Sequence, residues 1–354
     1  MAHKNRKHRE SFADKVRDTL KVCSTIVLIM GCVYFGVLIL ADKHVKKVNS
    51  NLQDQFSTAQ NTVTELPTAT QAPQQLASAA TSVPTAEPTA TAEPAGTAVP
   101  AQQNLDAQQP VVTEPAVPVL QPQFEQLYAQ NSDLIGWIKA GKDIDLPVLY
   151  RDNEFYMDHD FYGAYSSAGS IFLDERNTSD MSDDHMLIYG HNMKNGSMFG
   201  TLKAYRDVSF LRQYPIISLQ YAWESEPRKY VLVSLFDASM TPTDPSYIKI
   251  TEFNFDTPEE KQNFIDAMLR KSTYDIPLDV NADDQLITLV TCSYTHDDGR
   301  YLLTARLLRE DETEEQIMQL FEQVQQKYRQ RGSRKRVALC LWHCALQFDG
   351  LRCA

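Results

Sequence analysis

The pattern of apolar and polar positions changes sharply along the chain, and its first clear feature is a long apolar run. Residues 22–40 are 19 consecutive positions without a charged side chain. At about 1.5 Å per residue, a helix of this length nearly spans a hydrocarbon core of roughly 30 Å. The pattern therefore predicts a transmembrane helix over residues 22–41, preceded by a short segment, residues 1–21.

Basic residues flank the apolar run and predict its orientation. Seven Lys and Arg residues lie in residues 1–21, and a smaller cluster, Lys43, Lys46 and Lys47, follows the run. Because the more basic flank tends to stay inside, we expect a single-pass protein of the cell membrane with a cytoplasmic N-terminus. A cleaved signal peptide is the alternative, but the run exceeds a usual signal-peptide core and no small-residue cleavage site follows it closely.

Residues 42–121 are polar and rich in Ala, Thr and Pro. Ten of the 17 prolines lie between Pro67 and Pro122, and residues 48–138 contain no Lys or Arg. Such a composition offers too few large apolar side chains to offset the conformational entropy of an ordered chain. We therefore predict a disordered extracellular stalk that lifts the following domain off the membrane surface.

Residues 122–309 carry short apolar runs separated by turn residues, which is typical of a folded domain. Strand-length runs rich in Val, Ile, Leu and Tyr occupy residues 144–150, 170–173, 185–189, 216–221, 229–236, 286–292 and 301–307. Helical patterns are fewer and cover residues 124–131, 198–205 and 258–271. Many strands with few helices predict a mainly β fold, a barrel or a sandwich with helical insertions.

Residues 310–354 follow this domain and have no role that the pattern predicts. Residues 310–331 place apolar side chains at helical spacing, so we expect a helix there. The remaining tail is apolar in part, but its apolar stretch is too short to span a bilayer.

Composition excludes several function classes. The formal net charge of −12 argues against nucleic-acid binding, which needs a basic face to displace counterions from phosphates. Six cysteines in 354 residues do not form a disulfide scaffold. No cluster of carboxylates or histidines has the spacing of metal ligands, so we expect neither a metal nor another cofactor.

Cys292 is the one cysteine within residues 122–309, and its surroundings suggest chemistry rather than packing alone. It ends a predicted strand, and a turn-rich loop separates it from Arg300 at the start of the next strand. If the two strands pair as a hairpin, Cys292 and Arg300 are cross-strand neighbours with Cα atoms about 5 Å apart. Arg306 would instead face residue 286, about 20 Å along the strand. A small buried hydrophobic residue is the alternative interpretation of Cys292.

A thiol beside a guanidinium favours the thiolate and supplies a stabiliser for an oxyanion, which suits acyl transfer through a thioester. Acyl transfer also needs a side chain that can donate and accept a proton, and a histidine is the usual choice. His191 follows an apolar strand in a Gly- and Asn-rich turn, a position where sites are often built. We expect His159 and His185 at the surface, whereas the spacing leaves His296, in the loop of Cys292, as an alternative.

These residues carry a resemblance to the sortases, the cysteine transpeptidases of Gram-positive cell surfaces. TLVTC at residues 288–292 resembles their TLxTC signature, YGHNM at 189–193 resembles their histidine motif, and Arg300 resembles the start of their arginine strand. Three further segments are similar to class B sortases in particular: SIFLDERN at 170–177, DNEFYMDHDFYG at 152–163 and HNMKNGSMFG at 191–200.

The resemblance implies a sortase-type eight-stranded β-barrel with helical insertions over residues 122–309, preceded by the transmembrane helix and the stalk. It implies a cysteine transpeptidase that anchors surface proteins, cleaving a sorting signal after Thr and joining the protein to an amine of the cell wall or a pilin. Cys292 would be the nucleophile, His191 the acid/base and Arg300 the oxyanion ligand. The residues expected to bind the signal are Asn153, Tyr189, Thr243, Tyr247, Ile248, Thr291 and Ser293.

The partners so implied are secreted proteins that carry a sorting signal, an acceptor amine, and the membrane, with no nucleic acid. Two alternatives remain open from the residues alone. One is a stalked surface binding module that keeps the fold without turnover, and the other is a cysteine protease that transfers the acyl group to water. Tyr247 and Ile248 lie in a long insertion, residues 240–285, between two predicted strands, which we expect to recognise the sorting signal; their alternative role is to anchor this insertion.

Overall fold

A closed barrel of eight strands forms the centre of the structure. The computed structural model describes residues 2–65, 119–295 and 298–324. The strands are β1 Leu134–Ala140, β2 Ile144–Tyr150, β3 Ile171–Leu173, β4 His185–Tyr189, β5 Ile216–Tyr221, β6 Arg228–Ser239, β7 Leu286–Cys292 and β8 Gly299–Leu307. The helices are α1 Ala2–Glu65, α2 Pro122–Gln130, α3 Val208–Gln213 and α4 Pro258–Lys271, with 3₁₀ helices at Phe155–Met157 and Phe199–Arg206 and a helical stretch over residues 314–324.

The strand order around the barrel is β1-β2-β3-β4-β7-β8-β6-β5. Two neighbouring pairs, β2 with β3 and β4 with β7, are parallel, and the others are antiparallel. Since parallel neighbours need long crossovers, α3, α4 and the two 3₁₀ helices lie in connections between strands, whereas α1 and α2 precede the barrel. The predicted fold class, a mainly β barrel with helical insertions, is confirmed.

Strand β1 is the strand that the sequence pattern did not predict, and the short helices Phe155–Met157 and Val208–Gln213 were not predicted either. The residues of β1 are buried at every position except Lys139, so the alternation that marks a half-buried strand is missing. Gly136 allows the close approach of β5, because a Cβ atom there would lie 2.5 Å from the carbonyl oxygen of Gln220. The predicted helix at residues 198–205 is present as the 3₁₀ helix Phe199–Arg206.

Helix α1 contains the apolar run and continues well beyond it. Within the described residues, α1 holds a stretch long and apolar enough to cross a membrane, with a mean hydropathy of 2.4 and no burial against the protein. The helix ends at Glu65, so the prediction that a disordered stalk begins at residue 42 is wrong. The remainder of the predicted stalk, residues 66–118, and the tail, residues 325–354, lie outside the described residues.

The cause of this longer helix is packing against the barrel rather than composition. Val45, Leu52 and Phe56 lie on one face of α1 and are 6%, 2% and 2% exposed. The ring of Phe56 stacks on Trp137 of β1 with centroids 4.1 Å apart and planes 3° apart. The apolar side chains of α2, including Phe124, belong to the same buried cluster. The segment 66–118 therefore connects two helices that both pack on the barrel.

His185 at the start of β4 is fully buried, so the expectation that it lies at the surface is wrong. Its Nδ1 donates to the carbonyl oxygen of Glu252 at 2.7 Å, and its Nε2 lies 2.8 Å from the hydroxyl of Thr288. Burial lowers the pKa of His185 to about 4. The imidazole is therefore a neutral link between β4, β7 and the insertion before α4.

We expect stability to fall with acidity because of His185. The unfolded chain takes up a proton near pH 6.5, whereas the folded chain does so only near pH 4. The contribution is therefore complete above pH 6.5 and is lost as the pH falls between these values, by about 3 kcal/mol. Urea unfolding of the wild type and of His185→Gln at pH 7 and pH 5 checks this, and an equal pH effect in both proteins contradicts it.

Candidate active site

The barrel brings the ends of β4, β7 and β8 together. In the β7–β8 hairpin Cys292 pairs directly with Arg300, and Arg306 pairs with Leu286, as the hairpin register predicts. Strand β4 runs parallel to β7 with Tyr189 opposite Val290, so the residues after β4 meet the end of β7. This topology places His191 beside Cys292. The alternative acid/base, His296, lies outside the described residues.

A backbone carbonyl group fixes the orientation of the His191 ring. Nε2 of His191 lies 2.6 Å from the carbonyl oxygen of Met157, in the connection between β2 and β3. Because a carbonyl oxygen only accepts hydrogen bonds, Nε2 must carry a hydrogen. Nδ1 is then the ring atom that can gain or lose a proton, and this is a common way for a protein to select a histidine tautomer.

Cys292 and His191 shift each other's ionisation in opposite directions. The hydrogen bond from His191 lowers the pKa of the Cys292 thiol, partial burial opposes this shift, and the charge of Arg300 adds to it. The pKa of His191 is raised, first by its hydrogen bond to Cys292 and then by the Met157 carbonyl group, against the effect of burial. Both shifts favour a thiolate–imidazolium pair, the reactive form of a cysteine nucleophile.

Arg300 completes the set of charged groups at the site. Its side chain is 31% exposed, and its Nη1 donates to the carbonyl oxygen of Gly299 at 3.1 Å and pairs with Asp298 at 2.9 Å. These contacts lie at the start of β8 and hold the guanidinium on the strand next to the thiol. A guanidinium carries five N–H donors, so it can bind an oxyanion while it keeps these contacts.

These three residues line an open pocket of about 220 Å³. Its lining combines apolar and polar side chains with the catalytic candidates: Asn153, Met157, Ser170, Phe172, Tyr189, Gly190, His191, Val290, Thr291, Cys292 and Arg300. Three of the seven residues expected to bind the signal, Asn153, Tyr189 and Thr291, are therefore in the pocket. No three His, Cys, Asp or Glu side chains in the described part of the chain are grouped as metal ligands.

Hydrogen bonds hold the polar wall of the pocket in place. The hydroxyl of Thr291 donates to the carbonyl oxygen of Gly190 at 2.7 Å, which ties β7 to the end of β4. The Tyr189 hydroxyl donates to Asp174 at 2.9 Å. Asn153, in the β2–β3 connection, is held by the segment after β3, because its side-chain oxygen accepts the backbone N–H of Glu175 at 2.9 Å.

The structure places the other four expected binding residues outside this pocket. Ile248 is 7% exposed and packs in the apolar cluster under α4, so it anchors the insertion, which was its alternative role. Thr243 is exposed and Tyr247 is half-buried, and neither lines the pocket. Ser293 is buried behind the strand end, where its hydroxyl bonds to Asp237. A long insertion offers anchoring and binding positions that sequence spacing does not distinguish.

Two residues that hold the catalytic groups in position were not identified from the sequence, nor were four further residues that line the pocket: Ser170, Phe172, Gly190 and Val290. Met157 acts through its carbonyl oxygen, and a backbone group leaves no signal in residue type. Asn192 donates from its side chain to the carbonyl oxygen of Cys292 at 2.7 Å, which joins the turn after β4 to the end of β7. Its position next to His191 could have identified it from the sequence, because an Asn side chain at a strand end commonly forms hydrogen bonds with backbone groups.

The chain is similar to two proteins named sortase B. It is 36% identical to that of Listeria monocytogenes over 190 residues, which cover 52% of this chain and 74% of that protein. It is 32% identical to that of Staphylococcus aureus over 194 residues, which cover 54% of this chain and 76% of that protein. The solved structure of a Staphylococcus aureus sortase B–substrate complex shares the fold, with a TM-score of 0.55 at 23% identity over 77% of this chain and 100% of that one. No protein-family model matches the chain.

Proposed function

Because the chain belongs to the class B sortases, a family of cysteine transpeptidases, we propose that it anchors secreted proteins at the cell surface. It would cleave a C-terminal sorting signal after Thr and join the new C-terminus to an amine of the cell wall or of a pilin. The observation that supports this most strongly is geometric: Cys292, His191 and Arg300 line one pocket, and Cys292 pairs with Arg300 across the β7–β8 hairpin.

The first half of the reaction forms a thioester. The Cys292 thiolate attacks the backbone carbonyl carbon of Thr, and the carbonyl oxygen becomes an oxyanion that Arg300 stabilises. His191 gives its Nδ1 proton to the amide nitrogen as the C–N bond breaks. The distal part of the signal leaves as an amine, and the carbonyl carbon remains bonded to the sulfur of Cys292.

The second half transfers the acyl group. The acceptor amine attacks the thioester carbonyl, Arg300 again stabilises the oxyanion, and neutral His191 takes the proton that the amine loses. The C–S bond breaks, an amide bond forms, and the thiolate–imidazolium pair is restored. The same steps with water in place of the amine give hydrolysis, so the choice of acceptor separates a transpeptidase from a protease.

The pocket supplies candidate contacts for the signal. We assign Asn153, Tyr189 and Thr291 to substrate binding because they line the pocket and are held by hydrogen bonds. Phe172 and Val290 add apolar surface suited to the side chains of a peptide. Ser293 is assigned a positioning role, since its bond to Asp237 secures the strand end next to Cys292.

For location, we propose that α1 crosses the cell membrane once, with residues 1–21 in the cytoplasm and the barrel outside. The apolar stretch of α1 and the surplus of basic residues before it support this orientation. Protease added to wall-free cells should then digest the barrel and protect the first residues. Digestion of the N-terminus instead would reverse the orientation.

A panel of sorting peptides tests the proposed function. The full chain in detergent is incubated with each peptide and with oligoglycine, a lysine peptide or no amine, and the products are identified by mass spectrometry. We expect cleavage after Thr and an amide product that incorporates an amine. Release of the free acid alone, unchanged by any amine, supports the cysteine protease, and no cleavage of any peptide supports a binding module.

Arg300→Lys is expected to lower kcat by about a hundredfold, the effect of losing one oxyanion donor. The charge is kept, but a planar guanidinium is replaced by a point charge on a flexible chain. The measurement is steady-state cleavage of the best peptide.

Arg306→Lys provides the contrast. Arg306 is fully buried and makes two hydrogen bonds to Glu312, so the variant should lose about 1–3 kcal/mol of stability but keep its kcat when folded. Equal losses of kcat in the two variants would show that Arg300 has no special part in the reaction.

A further inference from the structure

The membrane-proximal part of α1 contacts both loops that hold His191. We use "docking face" for six α1 residues that either bond to these loops or are buried against the domain: Asp42, His44, Val45, Asn51, Leu52 and Phe56. The first loop, residues 191–200, carries His191 itself. The second loop, residues 151–170, carries Met157, whose carbonyl oxygen accepts from the ring of His191.

The docking face reaches the loop of His191 through a polar and an apolar contact. The side chain of Asn195 donates a hydrogen bond to Asp42. Met198 packs in the buried cluster that contains Val45 and lines the same cavity. The loop folds back on itself at this point, because the backbone N–H of Phe199 donates to the carbonyl oxygen of His191 at 3.0 Å. A displacement of Met198 would therefore be transmitted to the backbone of His191.

Two polar contacts join the docking face to the loop of Met157. Nε2 of His44 lies 3.1 Å from a carboxylate oxygen of Asp160, and the side chain of Asn51 donates to the hydroxyl of Tyr162 at 2.9 Å. Asp160 is 4% exposed, and its other carboxylate oxygen accepts two backbone N–H groups of the loop. The carboxylate thus connects α1 directly to the turn that follows Met157.

The cavity between α1 and the barrel is adjacent to the active-site pocket. It is small, with a volume of about 20 Å³, and Ser170 lines both spaces. Gly169, next to it, has a φ of +56°, and a Cβ atom there would lie 2.7 Å from the carbonyl oxygen of Met157. The backbone under α1 is therefore in close contact with the carbonyl group that orients His191.

We propose that the docking face of α1 is a positioning element of the active site, which holds the two loops at the separation that brings His191 to Cys292. The inference rests on the proposed role of His191 as the proton carrier. The docking face holds each loop by at least one polar contact and one buried side chain. Removing these contacts releases the Met157 carbonyl group and the backbone of His191 together.

Docking also links catalysis to membrane attachment. The apolar run ends at Leu40, two residues before Asp42, which is about 3 Å along a helix axis. The helix that enters the membrane is therefore the same helix that braces the active site, with no flexible segment between them in the described chain. A form of the protein released from α1 would keep its catalytic residues but lose the alignment of His191.

Val45→Asp in the full chain, purified in detergent, tests the proposal. The variant places a charge at a position that is 6% exposed, and Lys47→Asp places the same charge on the exposed side of α1. Two readouts are compared: kcat and KM with the best peptide, and the pH dependence of Cys292 alkylation by iodoacetamide, with the modified cysteine identified by peptide mapping. The charged neighbours Arg300, Asp298 and Asp158 are unchanged in every variant.

We expect Val45→Asp to lower kcat at least tenfold with KM within twofold, and to move the alkylation midpoint of Cys292 to higher pH. Lys47→Asp and the conservative Val45→Ile should match the wild type. Unchanged kcat and midpoint in Val45→Asp, with a melting temperature near that of the wild type, would overturn the proposal. Asp42→Ala buries no charge and should give a smaller shift in the same direction, so the test stands if Val45→Asp does not fold.

The alkylation readout separates this inference from the proposed function. It reports the thiolate of Cys292 without requiring any peptide to be cleaved. If the docking-face variants shift the alkylation midpoint of Cys292 but the wild type joins no peptide to an amine, the positioning role is supported and the transpeptidase function is contradicted. If the wild type is an active transpeptidase and the docking-face variants keep its kcat and alkylation midpoint, only the positioning role is contradicted.

Discussion

Replacement of Cys292 by alanine is expected to abolish peptide cleavage and amine transfer, with a loss of about four orders of magnitude or more. The sulfur of Cys292 is the atom that bonds to the substrate, and no other cysteine of the described barrel can replace it. Partial burial and the contacts of His191 and Arg300 are specific to this position. The measurement is product formation by mass spectrometry at saturating peptide.

Cys32→Ala is the matched control. This free cysteine lies in the apolar part of α1 and is exposed from the protein, so its loss should leave the rate unchanged. Cys292→Ala should also unfold at the same temperature as the wild type within a few degrees, because the side chain is small and only partly buried. Turnover of Cys292→Ala within tenfold of the wild type would remove Cys292 from the mechanism.

His191→Ala is expected to reduce kcat at least about a hundredfold, the usual contribution of a placed general acid/base. The variant loses the proton donor to the leaving amine and also the hydrogen bond that lowers the pKa of Cys292. The thiol should therefore react with iodoacetamide more slowly at neutral pH, and its midpoint should move upward. Rates of cleavage and of alkylation measured across pH 5 to pH 10 check both effects.

The pH dependence has a definite sign. Because the pKa of Cys292 is lowered and that of His191 is raised, both shifts favour the coexistence of the thiolate and the imidazolium. Activity should fall toward low pH as the thiolate is protonated, and toward high pH as His191 loses its proton. His296→Ala should keep the wild-type profile. If His296→Ala loses more activity than His191→Ala, the acid/base role belongs to residue 296.

The parts of the site that follow from strand pairing were predictable from sequence. The register of the β7–β8 hairpin follows from the positions of Cys292 and Arg300 at the two ends of one short loop, and the structure has this pairing. His191 was recognisable from a polar turn directly after an apolar strand. Both inferences use the spacing of residues close together in sequence, which does not depend on how the rest of the chain packs.

Features that depend on tertiary packing were not predictable in this way. The polar composition after residue 41 suggested a disordered stalk, although Val45, Leu52 and Phe56 form an apolar stripe that the barrel covers. The composition of the segment is polar because most of its residues are polar, and it does not show that the few apolar residues share the one helix face that contacts the barrel. Likewise, His185 starts a strand and looks exposed, but the insertion before α4 folds over it.

The role of Met157 shows the limit for backbone groups. Its carbonyl oxygen orients His191 because Gly169 allows the connecting loop to fold closely beneath it. The Met157 side chain has no part in this hydrogen bond, so residue type carries no information about it. Gly169, with its positive φ, is the one residue of this contact whose type reflects the close packing.

The most direct test is to observe the acyl group on Cys292. The full chain is mixed with a sorting peptide without an amine, quenched in acid and analysed by intact mass and peptide mapping, and an amine is then added to a second aliquot. We predict an adduct on Cys292 with the mass of the peptide up to Thr, which disappears as an amide product forms. A protein that cleaves the peptide without this adduct, or whose adduct is never transferred to an amine, would contradict the proposed transpeptidation.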